Sequence, residues 1–462
     1  MISALLFLFV YFPCSAQSSE RVTLPLDGEW SVAESRPPEP PDASAYTRKA
    51  PVPGLANLAQ PPLPDVDQFD SREFISASIR ERKLPESARV EAAGVTRQQR
   101  DYLWFRRTFR APAAHAAAIL KVGKAQFGTA VWLNGTKIGE HLGCFTAGYF
   151  DLRSAIRFGA ENEVVIRIGA HPSMVPVWAP AGTDFEKYKW TPGIYDSVSI
   201  AFSGLPIIES VQVAPRLAES AALVQAHLHN PGQTAVSFSL RHAVGTVSGA
   251  VPLTLKPGER RTVTHTLKLA SPHLWTPEDP FLYTLKTSTG GDSLATRFGM
   301  REFRFDTATK RAYLNGKLYF LRGSNITLHR FFEDPECKRL PWDRAWVRKL
   351  LVDHPKHMNW NSFRFCIGPV PDFWFDIADE AGLLIQNEFF IWNGRENFPP
   401  YRTEELLAQY TEWIRDNANH PSVAIWDSNN ETDAPVLRDA IIPRMRKLDL
   451  SSRPWENGYG IP

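Results

Sequence analysis

The chain has 462 residues, 43% of them apolar and 12% aromatic, which is too many for one ordinary domain and enough for two to four substantial cores. Its 52 basic residues nearly balance 50 acidic ones, leaving a net charge of +2 that points to neither a nucleic-acid partner nor an anionic membrane surface. Beyond the first residues no apolar run approaches the ~20 that a spanning helix needs, and Cys144, Cys337 and Cys366 are too scattered for a disulfide framework or structural zinc.

Met1 to Ala16 reads as a signal peptide. Leu5 to Phe12 is an unbroken apolar run, and Cys14-Ser15-Ala16 offers small residues for cleavage, so the mature protein is expected to be secreted or periplasmic. From 17 to 203 the pattern is β-rich. Leu26-Asp27-Gly28-Glu29-Trp30 opens it, and a Pro-rich, irregular segment is expected between Pro37 and Pro64. Strands follow at Trp104–Phe109, Thr129–Leu133 and Val164–Ile168, with Asn134-Gly135 as a hairpin turn after the second. From 204 to 300 a smaller β-sandwich is expected. Alternation is visible in Leu223–His229 and Arg261–Leu267, with Pro257-Gly258 supplying a turn. His227, His229 and His265 fall on these alternating strands and are expected on the solvated face rather than on a metal.

From 301 to 462 the texture changes to strand, helix, strand, which implies a parallel sheet. Leu314-Asn315-Gly316-Lys317 forms a small hairpin, and the strands are expected at Leu318–Leu321, Asn361–Phe365, Leu383–Ile385, Val423–Trp426 and Arg453–Asn457. Helices are expected at Trp342–Val352, Phe373–Ala381 (ended by Gly382), Thr403–Asp416 and Val436–Leu448. Only five units are visible, fewer than the ~250 residues of an eight-unit barrel would supply. The expectation is therefore a chain truncated within its barrel, with open strand edges and poor solubility.

The fourth strand ends in Asn429-Asn430-Glu431. An amide and a carboxylate thus stand side by side where a parallel strand leaves its sheet, the end at which β/α barrels do their chemistry. Arg322-Gly323-Ser324-Asn325, Asn361-Ser362-Phe363-Arg364 and Asn387-Glu388 mark the other strands. "HPSVAIWDSNNE", those strand ends, "VWLNGTKIGEHLGCFTAGYFDLRSAI", "SPHLWTPEDPFLYTL" and "RFGMREFRFD" together resemble glycoside hydrolase family 2, the β-galactosidase, β-glucuronidase and β-mannosidase family.

The resemblance implies three parts: an N-terminal jelly-roll β-sandwich (17–203), an immunoglobulin-like β-sandwich (204–300) and the first five units of a (β/α)8 TIM barrel (301–462). It implies hydrolysis of O-glycosidic bonds by a retaining, exo-acting β-glycosidase on an oligosaccharide or glycoconjugate. Glu431 would be the acid/base and Asn430 the ligand of the sugar's 2-hydroxyl. Arg364, Asn325, Glu388, His329 and Trp392 would line the substrate pocket, with Arg364 holding carboxylates. Many family members carry a His where Thr327 stands, two residues after Asn325, and His329 lies two further on. The Gly-Ser-Asn and Asn-Asn-Glu spellings lean toward the β-mannosidase branch. The family's nucleophile, a Glu on strand seven, would fall beyond Pro462, and Glu456 is read as a pocket-rim or salt-bridging side chain. No metal or other cofactor is expected. Fourteen tryptophans suit sugar faces, but packing in β-rich cores accounts for most of them equally well, Trp426 included. The rival reading keeps the pocket on the same scaffold as a non-catalytic carbohydrate-binding protein.

Overall fold

The computed structural model describes residues 21–458, apart from 68, 89–93, 97–99, 114, 185, 188 and 395–397. The signal-peptide reading of Met1–Ala16 lies outside these residues.

The first sandwich packs a four-stranded sheet (Val22–Pro25, Val198–Ser203, Ala117–Val122, Gly148–Asp151) on a six-stranded one. The latter runs Thr136–His141, Thr129–Leu133, Glu161–Gly169, Tyr102–Arg110, Gly28–Ser35 and Arg48–Val52. Trp30, Phe105, Leu120, Ile166 and Ile200 fill the core between them. The hairpin at Asn134-Gly135 forms because both residues take positive φ, 50° and 81°, matching the right-handed twist of the flanking strands. The Pro-rich segment is less irregular than expected, since it contains the strand Arg48–Val52. That strand lies at the sheet's edge, where the Lys49 N–H turns outward to the Gln60 carbonyl (2.8 Å). Pro51, two residues on, has its nitrogen on the same outer side and breaks no ladder bond.

The second sandwich sets Ile207–Arg216, Ala221–His229 and Arg260–Lys268 against Val247–Leu255, Val236–Val244, Tyr283–Ser288 and Ser293–Phe298. His227 and His229 lie half-buried on its outer face. His265 does not, because period two puts it on the inner face with Val263 and Leu267, its ring 5.7 Å from that of fully buried His242. Burial, and then the neighbouring His265, push His242 down to about 4. The unfolded chain takes up a proton near pH 6.5, whereas the folded chain holds out until about pH 4, so folding weakens as pH falls between those values. Replacing His242 with Phe is expected to flatten that acid limb, and thermal melts of both proteins from pH 7 to 4 check it.

An antiparallel trio (Phe303–Asp306, Arg311–Leu314, Lys317–Leu318) leads into five parallel strands at Gly323–Ile326, Ser362–Phe365, Leu384–Glu388, Val423–Asp427 and Trp455–Glu456. Barrel strand one therefore starts after Leu318–Leu321, not within it. Lys317–Leu318 is taken by the hairpin with Arg311–Leu314, and the Arg322 carbonyl is the first to bond the second strand, through Asn361 and Ser362. The helix expected at Trp342–Val352 also begins later, at Arg344, because Asp343 caps it by accepting from the Ala345 and Trp346 N–H groups (2.8 and 3.2 Å). It runs on to His357 through a widened turn at Lys349–Asp353. Helix Asp372–Ala381 stops at Gly382, whose φ of 74° suits glycine and whose missing side chain lets the Pro277 carbonyl approach.

One apolar cluster is shared by the jelly roll and the barrel, joining Phe127, Phe145 and Trp190 to Phe365, Phe389 and Phe390. A partly buried ionic group ties the same two parts. Lys124 lies 2.6 Å from both Asp196 and Asp372, and Lys121 lies 2.7 Å from Asp372. The first sandwich is thereby fixed against the open end of the barrel strands.

Candidate active site

Parallel strands point all their C-terminal ends to one face. Alternation then puts Glu388, Asp427 and Glu456 side by side on the inner face, since Glu388 pairs in register with Asp427 and Asp427 with Glu456. Arg364 reaches across them. Its Nε donates to Asp427 Oδ2 (2.9 Å), and its Nη2 lies 2.5 Å from Glu388 Oε2 and donates to Asn430 Oδ1 (2.9 Å). Gln386 Nε2 also donates to Asp427 Oδ2 (2.7 Å), and the Ile367 N–H to Glu388 Oε1 (2.8 Å).

Three acids around one guanidinium cannot all ionise cheaply. Burial, then repulsion from Asp427, hold the Glu388 carboxyl well above the usual range despite Arg364. Burial and the hydrogen bond and charge of Asp427 push Glu456 up to about 9. Arg364 itself stays protonated, because Glu388 and Asp427 outweigh the cost of its burial.

The loop after strand four is pinned at both ends. The Tyr410 hydroxyl donates to the Ser428 carbonyl (2.5 Å), and Asn457 Oδ1 accepts from both Ser428 and Asn429 (2.8 and 2.9 Å). The Asn430 N–H donates to the Ile391 carbonyl (2.9 Å), and the Thr432 hydroxyl donates back to the Asn430 carbonyl (2.7 Å). Between these anchors Glu431 takes a φ of 34°, a region a side chain rarely adopts, and is exposed. Asn430 is fixed with its amide oxygen on Arg364, so its NH2 is left for a ligand.

Of the residues expected from sequence, Arg364, Asn430 and Glu388 meet directly. Glu431 follows Asn430 at the same barrel end, and Asn325 lies in register beside Arg364, exposed and without a hydrogen bond to it. Glu388 is a structural partner rather than an open ligand, being fully buried. His329 is a correction. It is also fully buried, enclosed by Phe145, Tyr195, Phe332 and Phe390 at centroid distances of 4.6–5.9 Å, so no sugar reaches it. Burial and then the charge of Lys187 hold it neutral, well below the ordinary value. The fold turns it inward because the short helix Leu328–Phe331 packs on the jelly roll. Trp392 is 8% exposed at the rim, its backbone N–H on the Thr183 carbonyl (3.1 Å). Trp426 is core, its indole donating to Asp449 (2.9 Å).

The sequence reading missed Asp427, Gln386 and the jelly-roll loop at Thr183–Asp184. Asp427 was legible, since it shares a strand face with Val423 and Ile425 and comes just before the loop. The loop's role was not, because nothing local announces that it meets Trp392 or that Asp184 pairs with Arg330 (2.8 Å). A possible metal trio, Asp376, Asp379 and His420, lies away from this face. It is satisfied internally, as His420 is 2.6 Å from Asp379 and Arg297 is 2.5 Å from Asp376.

Comparison with known proteins bears on this arrangement. A model of glycosyl hydrolases family 2 matches residues 207–301, and one of that family's TIM barrel domain matches 307–457. The beta-galactosidase of Vibrio vulnificus is 26% identical over 357 residues, covering 71% of this chain and 33% of that protein. The beta-glucuronidase of Paenibacillus borealis is 24% identical over 380 residues, covering 76% and 62%. The GH2 beta-galacturonidase from Eisenbergiella tayi shares the fold, with a TM-score of 0.72 at 19% identity over 95% of this chain and 71% of that one. The chain spans about a third of the length of several curated relatives it matches. Sandwich and barrel models that follow one another over more than half of the chain, on a shared architecture, show that it belongs to glycosyl hydrolases family 2.

Proposed function

We propose that this chain carries the acid/base half of a retaining β-glycosidase site that removes a terminal sugar from an oligosaccharide or glycoconjugate, in the manner of a β-galactosidase or β-mannosidase. The supporting observation is Arg364, which joins Glu388 and Asp427 to Asn430, the residue before Glu431, at the C-terminal strand ends. Glu431 passes its proton to the glycosidic oxygen as the C1–O bond breaks, and a second carboxylate takes C1. Water then releases the sugar, giving its proton back to Glu431. The family resemblance assigns the second carboxylate to strand seven, and Glu456 is bound up with Asp427 instead. The leader-like Met1–Ala16 supports a secreted or periplasmic location.

Aryl β-galactoside, β-mannoside and β-glucuronide assays test the reading. The 462-residue chain alone is expected to show no turnover, and a form extended past Pro462 is expected to hydrolyse one of them. If the extended form binds a sugar without hydrolysing any, the protein is a carbohydrate-binding one and the enzymatic reading fails.

A further inference from the structure

Where the second sandwich meets the base of the barrel, two buried guanidiniums share one carbonyl. Arg453 Nε donates to the Val423 oxygen (2.8 Å), and Arg301 Nη2 donates to the same atom. Each residue is 6% exposed. Arg301 Nε also donates to the Pro421 carbonyl (2.8 Å), and Arg453 Nη2 to that of Ala418 (2.6 Å). The carboxylate on the pair is Asp449, 2.6 Å from Arg453 Nη1 and bonded to the Trp426 indole as well. Asp379, the other acid that Arg301 feels, is taken up by His420, whose ring nitrogen lies 2.6 Å from it. Two positive charges therefore face one free negative charge in a site where an unbalanced charge is costly.

A cavity of about 10 Å³ lies against them, lined by Arg301, Arg453, Ser451, Asn419, Val213 and Phe298. That is room for one water or one small monatomic ion. Its lining has donors to spare among the described residues. Arg301 Nη1 makes no hydrogen bond, and Ser451 Oγ is buried without a partner. Asn419 spends one amide N–H on the Val211 carbonyl and its oxygen on the Val213 N–H across the junction (2.7 and 2.8 Å), which leaves it one further N–H. A neutral water would satisfy the donors and leave the charge.

We propose that this cavity binds a small monovalent anion of the chloride kind, held by Arg301 and Ser451 beside Arg453, and that the ion locks the second sandwich onto the barrel. A ligand that binds only the folded state stabilises it by mass action, so for a dissociation constant of about 20 mM, ~0.2 M chloride raises the folding constant about tenfold. The test measures the thermal midpoint of the 462-residue chain in sodium chloride and in sodium gluconate at matched ionic strength, with bromide-soaked crystals examined for anomalous scattering. A higher midpoint in chloride and a bromide peak beside Arg301 are expected. Arg301→Met, which keeps the aliphatic stem, should melt alike in both salts. Should that variant fail to fold, Ser451→Ala serves in its place and should need more chloride for the same rise. Equal midpoints for the unaltered chain, a chloride effect that survives in Arg301→Met or is undiminished in Ser451→Ala, or a cavity holding water but no bromide would each overturn the proposal.

Discussion

Replacing Glu431 with Gln, in a form of the protein that also carries the second carboxylate, is expected to lower kcat by ~10²–10⁴-fold on alkyl or sugar leaving groups. Gln keeps the size of the side chain and its place in the pinned loop, but it has no proton to give. Aryl glycosides with acidic leaving groups need little protonation, so bond cleavage to them should fall far less. Sugar binding should be nearly unchanged, because the Arg364–Asn430 contact does not involve residue 431. Single-turnover measurements on a graded series of aryl leaving groups check this. Equal losses across the series would assign Glu431 another task. The exposure of Glu431 sharpens the expectation, since a side chain facing solvent can be changed with little disturbance to folding.

The second large effect is on stability. Replacing Arg364 with Met removes the cation that Glu388 and Asp427 share, and both carboxyls are fully buried. Breaking a buried pair by deleting one partner typically costs ~3–5 kcal/mol, because a charge is left without compensation. The pH dependence follows from the negative charge that is left buried without its cation. With Arg364 gone, protonation of the acids relieves the loss, so the deficit should be largest at neutral pH and shrink as pH falls. Urea unfolding of both proteins at pH 7 and 5 measures it. The same deficit at both values would attribute the loss to packing rather than to charge. The variant should also lose sugar binding, since Asn430 would no longer be held with its amino group outward.

The order of parts could be read from the chain because its signals are local. Period-two alternation gave both sandwiches, and the switch to strand–helix–strand gave the barrel. Asn134-Gly135 and Gly382 were readable since each meets a backbone need, a positive φ, that few other residues meet. The run from His420 to Glu431 was readable as a buried apolar strand that ends abruptly in polar side chains. Strand one was misplaced because Leu318–Leu321 is apolar enough for a strand, and only the competing hairpin decides against it.

The sequence by itself therefore determined which residues could act, and the tertiary structure decided which of them can be reached. His329 looked like a pocket ligand, but enclosure by aromatic rings from two domains took it out of contact. His265 looked solvated until the second sheet closed over it. Asp427 gained its importance only when parallel pairing set it between Glu388 and Glu456, with Arg364 arriving from a strand more than sixty residues away. Burial and charge pairing are sums over neighbours distant in the chain, so no local pattern of residue types contains them.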